Sequence, residues 1–206
     1  MGRGEITGAL QRELAGVVLA AGAARRMGSP KLLLPWGQDN VLGCTLANAM
    51  AGGVSPLTVI CGGDADALER VAKTKGLPCL YNENYAQGQS TSLICGLNAV
   101  PQGLGAMFIL GDMPSVLPQS YTDLATAYRQ STALIVVPFN SYGCSGNPTI
   151  WSPELFREIQ QLSGDKGARE LLKKYRKQTL FVPLDDPGLY EDIDTIEDYM
   201  RQYKKK

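Results

Sequence analysis

Between Leu19 and Lys31 the chain reads LAAGAARRMGSPK, placing two glycines, adjacent arginines and a lysine directly after an apolar run. Glycine lets backbone N–H groups approach phosphate oxygens closely, arginine adds a fork of donors and lysine a point charge, so the segment suits a polyphosphate. It matches neither of two common phosphate motifs. Gly28 is not followed by Lys and Ser or Thr, as a Walker A loop requires, and Gly22 has no glycine two residues on, as a dinucleotide fingerprint requires. On spacing alone an ordinary strand-to-helix turn with exposed arginines competes with a triphosphate loop.

Three further segments carry chemistry. Leu110-Gly111-Asp112-Met113-Pro114 ends an apolar run with a carboxylate that can hold a hard cation; Mg²⁺ takes one or two carboxylates with phosphates and water. Taken alone, Asp112 reads equally well as a turn residue. Asp192 to Asp198 (DIDTIED) offers Asp194 as a second metal carboxylate, while Thr195-x-x-Asp198 resembles a capping box, the stronger reading of that stretch by itself. In Asn82 to Leu93 (NENYAQGQSTSL), Ser90 and Ser92 sit where a helix opens; they suit an anion or a base edge, or simply cap the helix.

Composition limits the rest. The chain has 206 residues, 20 Lys plus Arg against 20 Asp plus Glu, and no His. Zero net charge gives no reason to bind nucleic acid or an anionic membrane, and the terminal Lys204-Lys205-Lys206 reads as a solvated tail. Without His, Ser-His-Asp and Cys-His catalysis and His-rich zinc sites are excluded. Cys44, Cys61, Cys79, Cys95 and Cys144 lack C-x-x-C spacing and read as reduced thiols in a cytoplasmic protein. No apolar run approaches the ~20 residues of a membrane span, and Met1 to Leu14 lacks a signal-peptide core.

These loops need a scaffold. Apolar runs at Gly16–Ala21, Pro56–Cys61, Cys79–Tyr81, Gly105–Leu110, Ala133–Pro138, Thr149–Trp151 and Thr179–Pro183 read as strands. Helical patterns fall at Val41–Ala51, after Asp64 to Gly76, Ser90–Ala99, Pro118–Gln130, Pro153–Leu162, Lys166–Tyr175 and from Thr195. The alternation predicts a single three-layer α/β/α domain over 1–206, its core about 16–200, with a Rossmann-like, mainly parallel sheet. Ligands bind such sheets beyond the carboxyl ends of the strands, where the four loops fall.

Together the segments resemble the MobA-like family of nucleotidyltransferases, most closely its molybdenum cofactor cytidylyltransferase branch. The resemblance is ordered from Val17 to Tyr199: LAAGAARRMGSPKLLLP, NENYAQGQSTSLICGL, LGDMP, GDKGAR (Gly164 to Arg169) and DIDTIEDY. It implies the nucleotide-diphospho-sugar transferase type of fold and transfer of CMP from CTP to the phosphate of molybdopterin, with Mg²⁺ as cofactor and pyrophosphate as product. Leu19, Ala20, Ala21, Gly22, Arg26, Gly28 and Lys31 match the nucleotide loop, with Arg26 and Lys31 also catalytic. Asp112 matches the catalytic metal ligand, Asp194 the second metal carboxylate, and Ser90 and Ser92 the base-reading segment. Asn147, Asp165 and Arg169 fall on the pterin side.

The chemistry is compatible with the missing His. A phosphate monoester is largely dianionic near neutral pH, its second pKa being about 6, and needs no base. CTP is expected over GTP for two reasons. Ala21 replaces a glycine typical of the guanylyl branch, so that its methyl narrows the base site, and Gly88 to Leu93 is Ser-rich. Two departures stand out: Asn147 where the family commonly has His, and Ile196 where it has Pro. The alternatives are a GTP-dependent molybdopterin guanylyltransferase, a sugar- or polyol-phosphate cytidylyltransferase, and a non-catalytic carrier handing cofactor to a molybdenum hydroxylase apoenzyme. A dinucleotide-dependent oxidoreductase is more distant, because the first loop lacks its glycine spacing.

Overall fold

A computed structural model describes residues 12–22, 30–164 and 168–204. Its strands are β1 (Leu14–Ala20), β2 (Pro35–Trp36), β3 (Asp39–Asn40), β4 (Leu57–Cys61), β5 (Cys79–Tyr81), β6 (Gly105–Leu110), β7 (Ile135–Phe139), β8 (Thr149–Trp151) and β9 (Thr179–Pro183). The α-helices are α1 (Val41–Ala51), α2 (Ala65–Thr74), α3 (Gln89–Leu97), α4 (Pro118–Arg129), α5 (Phe156–Ile159), α6 (Arg169–Lys174) and α7 (Ile196–Tyr203).

Seven strands form one sheet in the order β5-β4-β1-β6-β8-β7-β9, while β2 and β3 make a separate antiparallel pair. Every neighbouring pair in the large sheet is parallel except those of β8, which runs antiparallel to β6 and β7. Strands covered on both faces must be apolar throughout, as GAMFIL in β6 and the buried part of LAGVVLA in β1 are. Alternation sorts their side chains. Val18, Val59, Met107 and Val136 pack with Leu46 of α1, Ala72 of α2 and Leu124 of α4. Val17, Ile60, Phe108 and Val137 pack with Leu93 of α3, Ile159 of α5 and Leu171 of α6. Helix α3 lies close on β1, since a Cβ on Gly96 would stand 2.3 Å from Val17 Cγ1.

The three-layer α/β/α architecture is as expected. One helical expectation is corrected: in place of a helix over Pro153–Leu162, a 3₁₀ turn at Pro153–Leu155 leads into the single turn of α5. The chain then reaches Gly164 at φ +69°, a left-handed conformation that cannot continue a helix. Strand order reverses at β1, which has β4 on one side and β6 on the other. The crevice of such a sheet lies at the carboxyl ends of those strands.

Candidate functional site

The loop after β6 is tied to β1 by the bond from Gly111 N to Leu19 O, 3.0 Å, which carries the pairing one residue past the strand. Asp112 therefore emerges at the crevice. Opposite it, Lys31 opens a 3₁₀ turn, Lys31–Leu33, anchored by the buried Leu32. Asp194 arrives from the far end of the chain. Its neighbours fulfil the capping box: Asp198 N donates to Thr195 Oγ1 at 3.1 Å, and Thr195 N donates to Asp198 Oδ2 at 3.0 Å. The cap fixes the start of α7 despite Ile196 and leaves Asp194 outside the helix. Ile193 N donates to Asp112 O at 3.2 Å, joining the two acidic loops.

Lys31 Nζ lies 2.6 Å from Asp112 Oδ2 and 3.1 Å from Asp194 Oδ1. The Lys31 and Asp112 side chains are 17% and 14% exposed, sheltered enough for their attraction to exceed that of an open surface pair. Burial opposes the Lys31 charge, but Asp112, helped by Asp194, outweighs it and holds the ammonium above its usual 10.5. The Asp192 carboxyl is pushed above the usual range by burial, then by the Asp112 and Asp194 charges.

Asp112 and Asp194 both bond the Lys31 ammonium, and as hard oxygen donors they are also the kind of ligand of which Mg²⁺ takes one or two, completing its shell with phosphate and water. Among the described residues no group of three or more His, Cys, Asp or Glu side chains could hold a metal by itself. The donor set therefore fits an ion shared with a nucleotide rather than one caged by protein.

Leu19 and Ala20 end β1, Ala21 is buried and Gly22 is exposed. Ala21 is 2% exposed and belongs to the buried cluster that includes Val17, Ile60 and Leu93. Arg26, Gly28 and Asp165 lie outside the described residues. Ser90 and Ser92 are buried, and α3 is capped by Gly88 at φ +116°, so neither serine is the cap. Ser92 Oγ accepts from Asn82 Nδ2 at 3.1 Å, an internal bond that holds the loop before the helix.

Asn147 and Arg169 line a cavity of about 390 Å³ beneath the ends of β6, β7 and β8. Leu93, Phe108 and Trp151 give it apolar walls; Gln89, Thr149 and Asp192 add polar groups. Asp192 thus connects this cavity electrostatically to Asp112 and Asp194. Gln89, Thr149 and Asp192 were not expected as site residues. Asp192 had a signal, its place two residues before Asp194, and Gln89 had one in its place directly before Ser90; Thr149 had none. Tyr85 is a further unexpected neighbour of the crevice, packed so closely that a Cβ on Gly62 would lie 2.7 Å from its Cγ.

The sequence pattern of the MobA-like NTP transferase domain matches residues 16–179. The chain belongs to this family. Its fold is similar to the crystal structure of Rv0371c from Mycobacterium tuberculosis H37Rv, with a TM-score of 0.84, 32% identity, and 94% of this chain and 98% of that one covered. Rv0371c has also been solved in complex with manganese. The molybdenum cofactor cytidylyltransferase of Escherichia coli strain K12 is 27% identical over 89% of this chain and 92% of its own length. The nicotine blue oxidoreductase of Paenarthrobacter nicotinovorans is 26% identical over 90% of this chain and 94% of its own. This MobA-like NTP transferase thus has relatives of near-equal similarity whose names denote different chemistries. Among its described residues no helix is long and apolar enough to cross a membrane.

Proposed function

We propose that this MobA-like NTP transferase is a cytoplasmic enzyme that transfers CMP from CTP to the terminal phosphate of molybdopterin. The observation carrying this reading is the convergence of Asp112 and Asp194 on Lys31 at the carboxyl ends of β1 and β6. An acceptor phosphate oxygen attacks the α-phosphorus of CTP, a new P–O bond forms, and the bond to the β-phosphate breaks to release pyrophosphate. The acceptor needs no base, so positioning and charge neutralisation are what remain for the protein. Lys31 neutralises charge at the phosphates, with Arg26, Gly22 and Gly28 of the same loop gripping the triphosphate. Asp112 and Asp194 would hold Mg²⁺, which when bound polarises the phosphoryl oxygens.

Asn147 and Arg169 fall in the apolar-walled cavity, which suits a ring system with an anionic tail reaching toward Asp112. Preference for CTP draws on the resemblance of the Ser-rich segment Gly88 to Leu93 to the cytidylyl branch of the family. The acceptor of the product is a molybdenum hydroxylase apoenzyme in this reading.

The test is nucleotide-dependent pyrophosphate release across CTP, GTP, ATP and UTP, with Mg²⁺, with and without molybdopterin. Release with CTP that depends on molybdopterin is expected. Faster release with GTP would reassign the base. Cofactor binding without any release would make the protein a carrier, and pyridine-nucleotide oxidation in the same preparation would favour redox chemistry instead.

A further inference from the structure

Asp112 sits in a loop with little regular structure, so something else must fix its direction. Helix α1 does so from below. Thr45, fully buried, shares its one hydroxyl hydrogen between Gly111 O at 3.1 Å and Val41 O of its own helix at 3.0 Å. One turn on, Asn48 Nδ2 donates to Pro114 O at 3.0 Å and to Val116 O at 2.9 Å. The three loop carbonyls bracket Asp112, one residue before it and two and four residues after. Residues 45 and 48 share a helix face, so one rigid element grips both sides of the carboxylate.

A buried hydroxyl inside a helix has no propensity advantage there, and its outward bond to Gly111 gives it a use. The helix itself is held by Asn40, whose side chain accepts from Gly43 N at 2.8 Å, so the grip does not depend on the loop it holds.

We infer that Thr45 and Asn48 are positioning residues that act through Asp112, aligning its carboxylate for a divalent cation. The inference rests on the reading of Asp112 as a metal ligand. Groups that orient a ligand from outside typically govern metal affinity by about 10- to 100-fold.

The test is titration of Mn²⁺ into the full-length chain, alone and with CTP at a fixed concentration, followed by the electron paramagnetic resonance signal of free ion against a protein-free control, with folding checked by circular dichroism. Thr45→Val keeps the side-chain shape and removes the donor; it is expected to weaken Mn²⁺ binding by about tenfold or more. Thr45→Ser keeps the donor and is expected to bind within about twofold of the unaltered protein, as a preserved donor predicts. Asn48→Leu removes the second grip and provides the same comparison where Thr45→Val does not fold. Folded Thr45→Val or Asn48→Leu protein with unchanged Mn²⁺ affinity would overturn the inference.

Asp112→Asn distinguishes the metal-binding role of Asp112 from the positioning role of Thr45 and Asn48. If it loses Mn²⁺ while the Thr45 and Asn48 variants keep it, only the positioning role falls. If Asp112→Asn binds Mn²⁺ normally, the metal reading of Asp112 falls and takes the positioning role with it.

Discussion

Lys31 Nζ and Asp112 Oδ2 stand 2.6 Å apart although 81 residues separate them in the chain, and Asp194, 163 residues from Lys31, completes the group at 3.1 Å. In the proposed reaction the ammonium would supply positive charge to the phosphates. Lys31→Met is therefore expected to lower turnover by about 10²-fold or more, comparable to removing one oriented donor. Steady-state pyrophosphate release measures it, and an unchanged rate would place the phosphate grip elsewhere.

The same pair has a pH signature. Lys31 is held above its ordinary 10.5 in the folded protein, so the stability it contributes is fully present below that value and is lost as pH rises through the higher folded one. Urea unfolding of wild-type and Lys31→Met proteins should differ by a constant amount up to about pH 10 and converge above it. A difference that grows with alkalinity would contradict the pairing.

At the other end of the site, Thr195→Ala removes the acceptor for Asp198 N and should cost about 1 kcal/mol of stability. Asp198 is held below the usual carboxylate range first by the Thr195 hydroxyl and then by backbone and Arg201. Its contribution is present above the ordinary value of 3.8 and fades as pH falls through the lower folded one. Denaturation midpoints of the two proteins should therefore approach each other in acid.

Most elements were legible because local signals agreed with the fold. Helix α1 runs over the expected Val41–Ala51, its end marked by Gly52 and by Gly53 at φ +77°. The antiparallel direction of β8 was not legible, since the residues Thr149–Trp151 carry no direction and only pairing with Met107 and Val136 sets it. Lys31, Asp112 and Asp194 were each visible as candidates, but their meeting depends on strand order. The burial of Ala21 in the apolar cluster was not legible either, because a sequence does not say which side of a strand end a methyl takes. Asp186 passed unnoticed in a turn-like Asp-Pro-Gly, yet its carboxylate accepts from Leu117 N, Ser120 Oγ and Gly188 N and pins the start of α4.

Arg169 lines the cavity from the start of α6. Arg169→Ala is expected to raise KM for the phosphorylated acceptor by about tenfold, the loss of one charge-assisted contact of 1.5 kcal/mol or so. KM for the nucleotide should stay within experimental error. Equal changes in both would argue against separate subsites.

In the proposed reaction Asp112 serves a metal and phosphate centre rather than the core. The most direct measurement is pyrophosphate release by Asp112→Ala beside its thermal unfolding, with CTP, Mg²⁺ and molybdopterin present. Turnover lost by about 10²-fold or more, with the folded state retained, is the predicted result. A folded Asp112→Ala protein working at the wild-type rate would contradict it.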